Sequence, residues 1–92
     1  MAYFAVHYVY GAPESDLATL RAEHRGYLAD LPELAVSGTA QGGREALLVF
    51  QADTSEQVEA LVAADPFVAA GYVGSWTTIE WNPILGGLAE HF

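Results

Sequence analysis

Residues 3–10 read Tyr-Phe-Ala-Val-His-Tyr-Val-Tyr, and Gly11-Ala12-Pro13 then stops the run. All but Ala5 and His7 are aromatic or β-branched, which makes the stretch a strand, β1. Its two alternating sets, Phe4/Val6/Tyr8/Tyr10 and Tyr3/Ala5/His7/Val9, are both largely apolar. A sheet with one wet face alternates apolar and polar side chains, so both faces of this strand require cover. A chain of 92 residues buries a modest share of its own surface, and a second copy is the simplest cover for the second face.

Working outward, Leu17, Leu20, Tyr27, Leu28 and Leu31 recur at helical spacing between Ser15, available as N-cap, and Pro32. This is a first helix, α1. Residues 34–40 (β2) and 45–51 (β3) are short runs joined by Gln41-Gly42-Gly43-Arg44, which reads as a hairpin. Thr54-Ser55-Glu56-Gln57 has the capping-box spacing and opens a second helix, α2, with Val58, Leu61 and Val62 on one face. Asp65-Pro66 then starts a short turn that Gly71 ends, and residues 72–82 supply the last strand, β4. The order βαββαβ predicts a ferredoxin-like α+β domain spanning residues 1–92, a four-stranded antiparallel sheet with both helices on one face. Residues 83–92 form a tail whose Ile84, Leu85, Leu88 and Phe92 are expected to pack on the domain or on a partner.

Twelve acidic side chains against three arginines and no lysine give a net charge of −9. Such a surface repels phosphate backbones and anionic lipid, so nucleic acid and membranes are not expected partners. The lack of lysine excludes Schiff-base chemistry, and the lack of cysteine excludes thiolate catalysis, disulfides and zinc–thiolate sites. The N-terminal MAYFAVHYVY has neither a basic region nor a cleavage site, and no apolar stretch approaches the ~20 residues of a spanning helix. A cytoplasmic location is the expectation.

His24 falls seven residues after Leu17 and four after Leu20, so an imidazole stands where the sheet-facing stripe of α1 calls for leucine. By the same count Asp65 follows Val58 by seven and Val62 by three. Neighbouring helices thus direct a His and an Asp inward, where the carboxylate fixes one tautomer and leaves the other ring nitrogen for proton transfer. A core histidine and an N-capping aspartate are the structural readings of the same residues. The two sets of roles are compatible, since one carboxylate oxygen can cap while the other holds the ring. Arg21, three residues before His24, suits an anionic or enolate oxygen, or else pairs with Asp16 or Glu14. Ser37 is a candidate substrate hydrogen-bonding group; a strand-end serine also satisfies backbone groups. The spacing of His7, His24 and His91 resembles no ligand pair, so no metal site is expected.

Arg21-Ala-Glu-His24 resembles the Arg-x-x-His of the YCII-related proteins, and Asp65-Pro-Phe-Val-Ala-Ala-Gly71 resembles their Asp-Pro-aromatic-Val-x-Ala-Gly signature. The resemblance covers almost the whole chain. It implies a dimeric α+β barrel of ferredoxin-like protomers with an active site containing His24 and Asp65. One branch of the family is associated with dehydrochlorination of chlorinated hydroxyquinols. Family members often carry Gly-Pro after β2, where Ser37-Gly38-Thr39 stands here, and basic residues near the last strand, where Trp81-Asn82-Pro83 stands.

Three functions use such a pocket. The first is a cofactor-independent lyase or isomerase in which a His24–Asp65 dyad moves a proton on a small cyclic or aromatic substrate. The second is a non-catalytic dimeric barrel that binds a small ligand or a partner domain, and the third is a cofactor-free oxygenase. The expected assembly is a homodimer with a small-molecule ligand and no cofactor.

Overall fold

The structure, a computed structural model, describes residues 2–92. Its elements are β1 (Ala2–Tyr10), α1 (Glu14–Ala29), β2 (Leu34–Ala40), β3 (Glu45–Ala52), α2 (Ser55–Ala63), α3 (Pro66–Ala69) and β4 (Val73–Trp81). The strands form one sheet in the order β2-β3-β1-β4. β1 pairs antiparallel with both β3 and β4, and β2 pairs antiparallel with β3. This is the expected α+β, ferredoxin-like arrangement, with the predicted turn after Asp65 appearing as a third, short helix.

Local chemistry sets the element ends. The Thr54 hydroxyl accepts from Gln57 N at 3.3 Å while Gln57 Oε1 accepts from Thr54 N at 3.3 Å, closing the capping box that opens α2. Ser15 does not cap α1. The helix begins one residue earlier behind Pro13, whose carbonyl accepts from Asp16 N and Leu17 N, so Ser15 lies inside the first turn. Gly71 has φ +78°, a left-handed conformation that turns the chain out of α3 at little steric cost. Between β1 and β4 the backbones approach so closely that a Cβ on Gly11 would stand 3.1 Å from Gly74 Cα. The loop leading from β1 into α1 is thereby held down at its first residue, where Gly11 N donates to Tyr72 O at 2.9 Å.

The even-numbered side chains of β1 and β3 face the helices. Phe4, Val6, Tyr8, Leu48 and Phe50 are buried there against Leu17, Leu28, Val58, Val62 and Phe67. Tyr27 Oη ties α1 to α2 through Leu61 O at 2.6 Å. Tyr8 is wholly buried, and its hydroxyl bridges sheet and helices by donating to Asp65 Oδ2 at 3.0 Å.

The opposite face bears Val36, Leu47, Val9, Ile79 and Trp81, all exposed, with His7 Nε2 and Glu45 Oε1 2.6 Å apart among them. Phe92 returns to one corner of this face, its ring 5.2 Å from Tyr3 and 5.7 Å from Trp81. Ile84, Leu85 and Leu88 remain exposed. Among the described residues no helix is long and apolar enough to cross a membrane.

Burial, and after it the charge of Asp65 and the hydrogen bond to it, push the Tyr8 phenol far above its ordinary value near 10. A raised folded-state value means that the stability contributed by this neutral phenol is complete below about pH 10 and is lost as pH rises further. Ultraviolet titration should therefore show Tyr8 ionising only with unfolding, and Tyr8→Phe should leave the native part of the curve unchanged. Loss of a tyrosine transition from that native part would contradict the burial of this hydroxyl.

Candidate active site

The core contains two buried polar residues, His24 and Asp65, and they touch. Asp65 ends the segment after α2 and caps α3, its Oδ1 accepting from Phe67 N at 3.0 Å. Pro66 follows at the first helical position, where its missing N–H costs nothing. Tyr8, His24 and the Phe67 amide all approach the carboxylate as hydrogen-bond partners. His24 Nδ1 lies 2.7 Å from the same Oδ1, and Tyr8 Oη approaches Oδ2. The sequence suggests one oxygen for the cap and one for the ring. Instead a single oxygen serves both, and the second is taken by Tyr8.

This arrangement fixes the tautomer. The peptide N–H can only donate, and a carboxylate accepts only, so the proton on the Asp65 side of the imidazole is carried by Nδ1. The ring is further held by Phe67, which stacks on it at 4.0 Å between centroids and 10° between planes. Nε2 makes no hydrogen bond among the described residues and is not buried, and His24 lines a cleft of about 850 Å³. An imidazole with a free lone pair and a buried carboxylate behind it can accept and return a proton.

The loop Gly11–Glu14, the start of α1, Phe67 and the turn 42–44 form the cleft walls. Arg21 lines it too, ion-paired with Glu14, so the structure realises one of the two pairings named for it and also keeps the guanidinium beside His24. Tyr10 lines the cleft as well. Burial and then the Asp65 charge raise its phenol above the ordinary range, with Arg21 opposing, and its hydroxyl remains a donor. Ser37 lies elsewhere. It lines an adjoining cleft of about 400 Å³ between α1 and β2 that meets the first at Tyr10, His24, Arg25 and Thr39. Among the described residues no group of three or more His, Asp or Glu side chains is arranged to hold a metal ion.

Tyr8 is the participant that sequence reasoning overlooks. The available signal is its place on the core-facing set of β1, because a fully buried tyrosine hydroxyl must find a partner and the helix layer offers few.

No curated protein sequence matches the chain. Among solved structures, the 5-chloro-2-hydroxyhydroquinone dehydrochlorinase TftG from Burkholderia phenoliruptrix, in complex with 2,5-dihydroxybenzoquinone, is 23% identical with a TM-score of 0.76. The match covers 86% of this chain and 92% of that one. Protein Atu4242 from Agrobacterium tumefaciens is 18% identical with a TM-score of 0.56, over 91% of this chain and 94% of that one. At these identities the likeness is one of fold. The YCII-related domain model matches residues 1–82, the whole of the sheet and its helices, and the chain belongs to that family.

Proposed function

We propose that the chain is a small enzyme, a lyase or isomerase, in which His24 moves a proton on a cyclic, enolisable substrate and Asp65 orients and charges the histidine. The observation that carries this reading is that Nδ1 is tied to a buried carboxylate while Nε2 is left unpartnered on a residue that lines a cleft. Neutral Nε2 takes a proton from a carbon beside a carbonyl, and the C–H electrons pass toward the carbonyl oxygen to give an enolate. In an isomerisation the imidazolium returns the proton to another carbon. In an elimination the enolate electrons expel a leaving group from the neighbouring carbon, and the proton leaves to solvent. Asp65 supports the imidazolium throughout, and Arg21 binds the negative oxygen. Ser37 offers a hydroxyl to the substrate edge that reaches the adjoining cleft. A dehydrochlorinase shares this fold, which favours elimination as the reaction type.

The open sheet face supports a homodimer as the working unit. Leu47, Ile79 and Val36 are each about half exposed or more, and a patch of this kind on a small domain marks an interface. A matching face from a second copy is self-complementary under two-fold symmetry.

Three outcomes test these readings. With 5-chloro-2-hydroxyhydroquinone as trial substrate and chloride release as readout, His24→Ala should lower kcat by about 10²-fold or more while the circular dichroism stays native. Turnover unchanged by that substitution removes His24 from the chemistry, and a ligand that binds without turnover favours the ligand-binding barrel. Asp65→Asn places an NH2 donor where the carboxylate accepts, so activity should fall with it and stability drop by about 1–3 kcal/mol; an unchanged melting temperature contradicts the convergence of donors. Leu47→Asp should convert a dimer into monomers in sedimentation, and a wild-type monomer at micromolar concentration refutes the assembly.

A further inference from the structure

We propose that the cleft beside His24 selects a ring that carries a carboxylate, held by Arg25 and Arg44. The chain has twelve acidic side chains, three arginines and no lysine. All three arginines line this one cleft. Arg21 is paired with Glu14, but no ion pair among the described residues engages Arg25 or Arg44. Arg44 is anchored by its Nε, which donates to Gln41 O at 3.0 Å, and its terminal amines stay free. Both side chains are exposed, so neither is held in place by core packing. They come from different elements, Arg25 from the helix residue next to His24 and Arg44 from the turn entering β3, and both line the cleft.

Net charge alone argues that an anion is repelled by this protein. Screening decides otherwise. At physiological salt the Debye length is about 8 Å, so acidic groups elsewhere on the surface count for less at the cleft than the guanidiniums that line it. A planar guanidinium matches a carboxylate through paired hydrogen bonds, and its binding to aromatic faces suits a ring seated near Tyr10 and Phe67. The local balance favours a single charge. Three guanidiniums facing Glu14, with Asp65 behind His24, leave one positive charge uncompensated, which a carboxylate neutralises and a phosphate dianion exceeds. The place of the ring rests on the proton-transfer reading of His24; the binding of the anion does not.

The test is a binding titration of the full chain at physiological salt with benzoate, benzamide and phenyl phosphate as probes, followed by calorimetry and by the His24 ring signals in NMR. Benzoate should bind at least tenfold more tightly than benzamide and no more weakly than phenyl phosphate, and it should shift the His24 signals. Arg25→Gln and Arg44→Gln should each remove most of the preference for acid over amide. Equal binding of benzoate and benzamide, no benzoate binding at about 10 mM, tighter binding of phenyl phosphate, or a preference that survives both substitutions overturns the proposal. Because binding is read without turnover, the two readings fail separately. A preference absent while chloride release persists sinks the anion site alone, and chloride release persisting in His24→Gln sinks the proton-transfer reading alone.

Discussion

The Asp65 carboxylate is the constraint on which the site and much of the core depend. It is fully buried, and three groups from three parts of the fold converge on it: Tyr8 from the sheet, His24 from α1 and the Phe67 amide from α3. Removing one partner of such a buried group leaves others unsatisfied and costs about 3–5 kcal/mol when the group is charged. The same three bonds register the helix layer against the sheet. Nδ1 is held by Oδ1, and Phe67 stacks on the face of the ring. The contacts that hold the fold together also hold the histidine ring in place.

Much of this was legible in the sequence, and the limits have physical reasons. The capping box at Thr54 and the Asp65-Pro66 start are local chemistry, decided within a few residues, and the structure contains both. The seven- and four-residue spacing of Leu17, Leu20 and His24 places the ring inside, because helix geometry converts spacing directly into a face. Ser15 misled because a proline that fixes φ two residues earlier starts a helix without a hydroxyl cap. Tyr8 was invisible for another reason. Strand periodicity gives the face of a side chain but not its partner, which is 57 residues away in sequence. The cleft's collection of arginines is equally non-local, since Arg21, Arg25 and Arg44 meet only once α1 and the β2–β3 turn lie side by side.

The two faces of the sheet divide the labour. The helix-covered face holds the polar cluster and the cleft, while the open face carries exposed aliphatic and aromatic side chains of β1, β3 and β4. Charge is divided in the same way. Acidic residues are spread along the chain, and all the arginine is gathered at one opening. The polar cluster with its cleft and the exposed apolar side chains therefore lie on opposite sides of one sheet.

The proposed proton transfer depends on which nitrogen of His24 carries the proton. A long-range proton–nitrogen correlation spectrum of the uniformly labelled chain, recorded where the ring is neutral, reads this directly. The predicted pattern is a protonated Nδ1 with an unprotonated Nε2 whose signal moves when a ligand enters the cleft. A neutral ring protonated at Nε2, with Nδ1 bare toward Asp65, contradicts it.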